Sequence, residues 1–172
     1  MAFQIIVGAE VTVEANDKEQ AEPLAQETKR QLEAAEILKP QQQESEGAPK
    51  IPLISDSGYY SESAAEQVEQ LGFDPYMATE RQRHHAPEPS VPEVPLSAKE
   101  QMAAKVRSPE GRLIYAQRKV IVEPVFGQIK EARGFRRFLL RGLEKIRGEW
   151  SLVCLTHNLL KIWRYGDAAV GR

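Results

Sequence analysis

The first half of the chain alternates between apolar runs of strand length and stretches with helical spacing. Residues 3–13 (FQIIVGAEVTV) are rich in Phe, Ile, Val and Thr with partial alternation, which predicts a strand. Asn16 and Asp17 predict the start of a helical stretch that ends before Pro40, with the regular helix beginning at Pro23 after a separate turn. Leu24, Leu32 and Leu38 give it a sparse apolar face. The short run at 51–55 (IPLIS) predicts a buried strand, and its carboxyl end presents Asp56.

One more helix and a short strand precede a proline-rich stretch. Residues 61–71 predict a helix closed by Gly72, because glycine readily adopts the positive φ found after many helix ends. Residues 74–78 (DPYMA) predict a short strand. Residues 79–96 hold four prolines and no apolar periodicity, which is typical of a mobile linker or a surface loop.

Helical spacing dominates the remainder of the chain. Residues 97–106 predict one helix, and Ser108 followed by a proline predicts the start of a second that continues toward Arg133. A long final helix is predicted over residues 142–165. Its apolar positions recur at helical spacing: Leu143, Ile146, Trp150, Val153, Leu160 and Trp163. Trp150 and Trp163 are expected in the core.

The order of these elements predicts an α/β fold: strand, helix, strand, helix and short strand, followed by a helical C-terminal region. We predict three parts, namely a partial α/β core at 1–78, a linker or loop at 79–96, and a helical part at 97–172. Functional sites in such sheets gather at the carboxyl ends of the strands, where Asp56 stands.

Composition adds little except the cellular compartment. The chain has 172 residues, of which 41% are hydrophobic and 28% charged, close to globular averages and unlike a disordered chain. No apolar run reaches the length of a membrane span. The single cysteine, Cys154, cannot form an internal disulfide, which fits a reducing compartment. A cytoplasmic protein that does not enter the membrane is therefore expected.

Charge is distributed unevenly along the chain, although the net charge is only -2. From Ser97 onward the chain holds 16 Lys and Arg against 7 Asp and Glu, a balance of +9. A basic half indicates a polyanionic partner, because Lys and Arg displace counterions from phosphate backbones. A solvated helical surface, or a basic half that docks on the acidic half, explains the charge equally well.

Two carboxylates are candidates for metal-dependent phosphoryl chemistry, which needs hard oxygen ligands around a pair of Mg²⁺ ions. Asp56 follows a strand, and Glu123 lies on a later helix with Lys119 and Lys130 four and seven residues away, so all three are expected on one helix face. Apolar neighbours at 120–125 indicate a buried helix, where an idle carboxylate would be costly. Taken singly, Asp56 is equally a turn residue and Glu123 a solvated helix charge.

Three segments resemble DDE-type insertion-sequence transposases of bacteria. The segments IPLISDSGYYSE, residues 51–62, and RKVIVEPVFGQIKEARGFRRFLLRGLEKIRGEWSLVCLTHNLLKIW, residues 118–163, closely resemble the second and third catalytic blocks of that family. The segment IIVGAEVTVEANDKEQAEPL, residues 5–24, resembles the strand and helix that precede the second catalytic aspartate.

The resemblance implies an RNase H-like catalytic core that cuts and joins DNA at transposon ends with Mg²⁺ or Mn²⁺. Under it, Asp56 corresponds to the second catalytic aspartate and Glu123 to the catalytic glutamate, and both are expected to bind metal. The resemblance also implies that the predicted α/β core is an incomplete RNase H-like core.

The glutamate helix of related transposases also carries a tyrosine, an arginine and a lysine. These correspond to Tyr115, Arg118 and Lys130, which are expected to contact DNA, with Lys130 also assisting catalysis. Arg118 stands one residue farther before Glu123 than in the best-known version of that signature. Lys119 is therefore an alternative for the basic role.

The family has a third acidic residue, an aspartate on the central strand that comes first in the fold. Residues 3–13 match the family's third strand, so the first two strands and that aspartate are expected upstream of Met1. The chain is thus expected to be an N-terminally truncated portion. With one of three metal-binding carboxylates missing, little or no transposase activity is predicted for this chain alone.

A basic aromatic stretch follows the glutamate helix and is a candidate DNA-binding surface. The residues assigned to it are Arg133, Arg136, Arg137 and Arg141, with Lys145 and Arg147 continuing the charge. Such contacts would grip the DNA backbone without reading its sequence. The alternative is that Phe135 and Phe138 pin the segment to the core while the arginines are merely solvated.

Three functions remain open at this stage. The first is a transposase catalytic fragment in the bacterial cytoplasm, associated with the nucleoid. The second is a non-catalytic module that binds DNA or a full-length transposase subunit. The third is a remnant of a decayed mobile element that folds poorly.

Overall fold

The computed structural model of this protein describes four stretches of the chain: residues 4–14, 17–37, 50–80 and 96–169. They divide into two units, which we call the sheet unit (residues 16–116) and the helical unit (residues 1–15 and 117–172). Helices combined with a parallel sheet confirm the predicted α/β class. Most of the predicted proline-rich linker or loop lies outside the described residues.

The sheet unit begins with a 3-10 turn and then alternates helices and strands. Its elements are the turn Asp17–Gln20, α1 (Ala21–Ala34), β1 (Ile51–Ser55), α2 (Glu62–Gln70), β2 (Phe73–Met77) and α3 (Ala98–Arg107). The predictions for β1, α2, β2 and α3 are confirmed to within one residue at each end. The separate turn predicted before α1 is the 3-10 turn. α1 starts two residues before Pro23, the predicted start, and ends at Ala34, whereas residue 38 lies outside the described stretches.

β1 and β2 pair in parallel, in a register that runs from Ile51 opposite Phe73 to Ser55 opposite Met77. α2 connects them, with the Ser61 hydroxyl accepting a hydrogen bond from the amide of Ala64 (3.1 Å) at its N-terminus. Each strand has five residues, and the sheet has no third strand among the described residues.

The prediction that β1 is a buried strand is wrong. Ile51 and Pro52 are exposed and the rest of β1 is half-buried, whereas most of β2 is buried. In the described part of the chain β1 has a neighbouring strand on one side only, so it is an edge. Its sequence, apolar except for Ser55, is typical of a strand covered on both faces.

Two small apolar clusters form the core of the sheet unit. One contains Ala21, Tyr60, Ala64 and Met77, and the other contains Ala25, Val68 and Phe73. Each cluster takes one alanine from α1 and one residue from α2, so the small side chains of α1 let that helix lie directly against α2. The clusters fix the turn after β1, where Asp56 lies, because Tyr60 anchors its far end.

The helical unit consists mainly of two helices and the loop between them. α4 (Pro109–Gly127) passes from the sheet unit into it and is followed at once by a π-helical turn, Gln128–Ala132. α5 (Leu143–Ala169) is the predicted final helix, four residues longer than expected at its C-terminal end. Trp163, expected in the core, is 80% exposed. Trp150, the other residue expected in the core, is half-buried.

The prediction of a strand over residues 3–13 is wrong for the part of it that the structure describes. Residues 4–14 form no ladder, and Asn158 of α5 takes the place of a neighbouring strand at Ile6. Its side-chain oxygen accepts from the Ile6 amide (2.8 Å), and its side-chain nitrogen donates to the Ile6 carbonyl (2.7 Å). A strand-like sequence becomes a strand only where a neighbour offers a complete row of backbone partners, and a single amide side chain satisfies one residue.

Candidate functional site

Asp56 lies immediately after β1, at the carboxyl end predicted for it. Its Oδ1 atom accepts a hydrogen bond from the amide of Gly58 (3.1 Å), and its carbonyl accepts one from the amide of Tyr59 (3.3 Å). These are the contacts of a turn residue, which was the alternative role for this aspartate. They do not exclude a metal, because a carboxylate has about four acceptor positions.

A buried polar atom adjoins Asp56. The hydroxyl oxygen of Ser55, the last residue of β1, is buried and has no hydrogen-bond partner among the described residues. A buried hydroxyl without a partner carries a desolvation cost, which a bound water, ion or substrate oxygen would remove. The strand end therefore has the chemistry of a site for an oxygen-rich ligand.

Glu123 lies on α4 in the helical unit, and its side chain is 52% exposed. Oε1 is 3.5 Å from the Arg118 guanidinium, five residues earlier on the same helix. The expectation of a buried helix here is wrong, because Val120 and Val122 are also exposed. An exposed carboxylate paired with one arginine is consistent with a surface ion pair and with an accessible metal ligand.

Lys119 and Lys130 do not share the regular helical geometry that their spacing suggested. Lys119 is exposed on α4, whereas Lys130 lies in the π-helical turn, where the Arg133 amide donates to the Gln128 carbonyl five residues back (3.1 Å). A π turn is wider than an α turn, so Lys130 differs from regular spacing in both height and angle relative to Glu123. Its ammonium lies 5.8 Å from the Phe126 ring centroid.

The two candidate metal ligands fall in different units, Asp56 in the sheet unit and Glu123 in the helical unit. Both offer hard carboxylate oxygens, which are the ligands that Mg²⁺ and Mn²⁺ prefer, so the donor chemistry fits these ions. Among the stretches that are described, no group of three or more His, Cys, Asp or Glu could hold a metal ion. Tyr115, the predicted DNA-contacting tyrosine, is half-buried on the part of α4 that belongs to the sheet unit.

In the predicted basic surface, some arginines bind other residues of the protein, and others are exposed without an ion-pair partner among the described residues. The Arg133 guanidinium donates to the Thr156 hydroxyl (2.8 Å), the Thr156 carbonyl (2.9 Å) and the Val153 carbonyl (3.3 Å) of α5. Arg136 forms an ion pair with Glu131. Arg137 and Arg141 are exposed, and neither forms an ion pair with any described residue. Arg133 therefore anchors the segment to α5, while Arg137 and Arg141 remain for a ligand.

The alternative role of the phenylalanines, pinning the segment, has direct support. Phe135, Phe138 and Trp150 of α5 form a cluster with ring centroids 5.6 to 6.4 Å apart. Such separations are typical of favourable aromatic pairs. The phenylalanines pack against α5 while Arg137 and Arg141 of the same segment are exposed, so the packing does not exclude contact with DNA.

A buried polar cluster on α5 was missed by the sequence reading. The His157 Nε2–H donates to the Gln4 carbonyl (2.9 Å), and the Lys161 ammonium donates to the side-chain oxygen of Gln4 (2.7 Å). The side-chain nitrogen of Gln4, Nε2, in turn donates to the Val120 carbonyl of α4 (2.7 Å). Burial lowers the pKa of both His157 and Lys161. Their four-residue spacing was visible in the sequence, but the partner, more than 150 positions away, was not.

A comparison with protein families finds the transposase DDE domain, which matches residues 79–163. The matched stretch includes Glu123, the lysines near it and the whole basic segment, and it begins after Asp56. This match supports a DDE-type transposase fragment. No curated protein and no solved structure matches the chain.

Within the described stretches, none of the helices is both long enough and apolar enough to span a membrane.

Proposed function

We propose that this chain takes part in DNA transposition as the portion of a DDE transposase that carries the catalytic glutamate and a DNA-binding segment. The reaction class is metal-dependent phosphodiester cleavage and strand transfer at transposon ends. The observation that carries the proposal is the family match over residues 79–163, because it includes Glu123 and the basic residues around it.

Asp56 and Glu123 are the residues that would hold Mg²⁺ or Mn²⁺, within an RNase H-like arrangement. When bound, a pair of such ions supplies the charge that stabilises the attacking and leaving oxygens of an in-line displacement. Lys130 would add positive charge beside the DNA backbone. Arg118, which lies 3.5 Å from Glu123, would orient that carboxylate, and Lys119 would contact a phosphate.

We further propose that the 172-residue chain has little or no transposase activity by itself. Two carboxylates do not complete the set of three that the family resemblance implies. A full-length transposase subunit is the natural partner, because it would supply the remaining carboxylate together with DNA ends. On this view the chain binds DNA and metal weakly and acts only within a larger assembly.

Metal binding is tested by titrating Mn²⁺ into the 172-residue chain and following the electron paramagnetic resonance signal of the free ion. We expect Asp56→Asn and Glu123→Gln each to weaken binding at least about tenfold, since even loss of a group supporting a ligand costs that much. Glu110→Gln, which removes another glutamate from the start of the same helix, should leave it unchanged. Equal losses in all three variants, or none in the first two, would contradict the assignment.

Inactivity is tested by incubating the chain with supercoiled plasmid DNA and Mn²⁺. Nicking should not exceed that of the Glu123→Gln variant. Robust nicking that depends on Glu123 would overturn the predicted inactivity while supporting the transposase assignment. DNA binding, measured by fluorescence anisotropy, should weaken steeply with salt, because each phosphate contact contributes a slope of about 0.9 in log K against log salt.

A further inference from the structure

The segment between the π-helical turn and α5 forms a loop with a defined backbone, which we call the tip loop (residues 134–142). It is bounded by Gly134 and Gly142, whose φ angles of +67° and +86° lie in the left-handed region. No neighbouring atom lies near a side chain at either position, so backbone conformation and not space requires glycine there. The chain turns sharply at both ends of the loop.

Two independent sets of contacts attach the tip loop to α5. Phe138 packs edge-on against both Phe135 and Trp150. The Glu149 carboxylate of α5 accepts from the amide of Leu139 (2.9 and 3.1 Å) and from the amide of Leu140 (3.1 Å). A carboxylate that binds two consecutive backbone amides fixes the backbone of those residues. The two leucines are therefore presented by an ordered backbone.

The side chains that this backbone presents are apolar and unusually exposed. Leu139 is 74% exposed and Leu140 is 49% exposed. Arg137 and Arg141 flank them and have no ion-pair partner in the described part of the chain. Two of the nearby acidic residues are already engaged, Glu131 by Arg136 and Glu149 by the loop amides. The tip is thus apolar at its centre and positively charged on both sides.

A DNA duplex presents a surface complementary to the tip loop, with apolar bases opposite the leucines and phosphates opposite the arginines. Stacked apolar bases lie between two rows of phosphates, and the minor groove between those rows is only about 6 Å wide. Proteins that bend DNA insert leucine, phenylalanine or similar side chains between base steps while cations hold the phosphates. A duplex therefore accounts for the cations and the leucines together.

We propose that Leu139 and Leu140 form a wedge that enters between base pairs of bound DNA, with Arg137 and Arg141 on the flanking phosphates. This proposal rests on the proposed function, since it needs a DNA partner. It adds that the chain distorts the duplex locally and binds best where the bases are already unstacked. The recognition is of DNA deformability and does not read base edges.

The test compares the affinity of the 172-residue chain for two 30-base-pair duplexes, one intact and one with a central two-nucleotide bulge. The chain should bind the bulged duplex about tenfold more tightly, because unstacking costs a few kcal/mol per step in intact DNA. Leu139→Ala with Leu140→Ala should bring the ratio close to one and leave the salt dependence unchanged. The matched control is Leu155→Ala with Leu159→Ala, two exposed leucines of α5 outside the tip loop, which should keep the tenfold ratio.

The arginines provide a separate readout. Arg137→Gln with Arg141→Gln should weaken binding to both duplexes and lower the salt slope by about 2. A ratio that survives removal of both tip leucines would overturn the wedge and leave the proposed DNA-binding function intact. Absence of any salt-dependent binding by the unaltered chain would overturn both. Circular dichroism spectra that match the unaltered chain ensure that each variant is folded.

Discussion

The buried side chain of His157 lies in surroundings that disfavour its protonated form. Its side chain is 1% exposed, and its Nε2 atom carries a proton because it donates to a carbonyl. The Nδ1 atom is buried without a hydrogen-bond partner among the described residues. Protonation would place charge on that atom beside Lys161 and Arg133, which both lower the pKa of His157 after burial itself.

This environment predicts a loss of stability in mildly acidic solution. Below pH 6.5, the ordinary pKa of histidine, the unfolded chain takes up a proton at His157 that the folded chain resists. The unfolded state then binds more protons, so the free energy of unfolding decreases as the pH falls from 6.5 through the folded pKa. Thermal unfolding monitored by circular dichroism between pH 8 and pH 5 measures this effect.

A variant isolates the contribution of His157. His157→Gln cannot titrate, so its melting temperature should depend less on pH in that window than that of the unaltered chain. The pKa of Glu27 is lowered to about 2 by hydrogen bonds from Arg30 and Gln31. Protonation of Glu27 therefore changes the free energy of unfolding only at a much lower pH than that window. An unchanged pH dependence in the variant would show that His157 is not protected in the folded state.

Asn158 carries a second prediction at the scale of one residue. Replacing Asn158 by Ala removes both hydrogen bonds to Ile6 and leaves a half-buried amide and carbonyl without side-chain partners. A loss of about 1–3 kcal/mol is expected for each group left unsatisfied, less where water replaces the bond. Hydrogen exchange at the Ile6 amide should accelerate at least about tenfold, whereas Leu159→Ala, at the exposed next position, should leave it unchanged. Equal acceleration in both variants would rule out the specific contact.

At the scale of elements, the corner between α3 and α4 depends on two small residues. The Ser108 hydroxyl donates to the Lys105 carbonyl (2.8 Å) and accepts from the Gly111 amide (2.9 Å), so one side chain serves the end of α3 and the start of α4. The backbone of Gly111 lies so close that a Cβ atom there would be 1.9 Å from the Lys105 carbonyl oxygen. The corner therefore excludes any larger residue.

Gly111→Ala is expected to destabilise the chain by about 3 kcal/mol or more, since the clash involves backbone that cannot move without disturbing α3. Gly148→Ala is the matched control, because a Cβ there meets nothing within 4 Å and alanine favours the helix by about 0.5–1 kcal/mol. Urea unfolding of the two variants should give shifts of opposite sign. A neutral Gly111→Ala would mean that α3 and α4 do not meet in this way.

Local sequence patterns predicted the positions of the helices and strands well, but they predicted burial and strand pairing poorly. The N-cap Ser61, the positive-φ Gly72 and the pair Ser108 and Pro109 are signals contained in a few neighbouring residues, and the boundaries they predicted were confirmed. Burial of β1 and pairing of residues 3–13 depend on distant strands, which no local pattern reports. The exposure of Val120 and Val122 likewise depends on what covers α4. Composition alone does not determine that.

At the scale of the whole molecule, the sequence likewise predicted the elements that carry the candidate site residues but not the contacts between distant residues. Asp56 at a strand end and Glu123 on a helix were identified correctly as to their elements. The engagement of Arg133 with α5 was not predicted, because it depends on two backbone carbonyls and one hydroxyl 20 to 23 positions away. Likewise, the attachment of the tip loop to Glu149 involves backbone amides, which have no signature in a sequence.

The proposed function assigns metal binding to Asp56 and Glu123, which are 67 positions apart in the chain, as ligands of one site. Iron tests this directly, because Fe²⁺ accepts the same oxygen ligands and, with ascorbate and peroxide, generates radicals that cut nearby peptide bonds. Cuts near residue 56 and near residue 123 should appear together and should both disappear in excess Mg²⁺. Because a shared site loses its ion when either ligand is removed, Asp56→Asn alone should abolish both cuts, as should Glu123→Gln alone. Glu110→Gln should preserve both. If Asp56→Asn removes only the cut near residue 56, the two carboxylates bind separate ions, and a common catalytic centre in this chain is wrong.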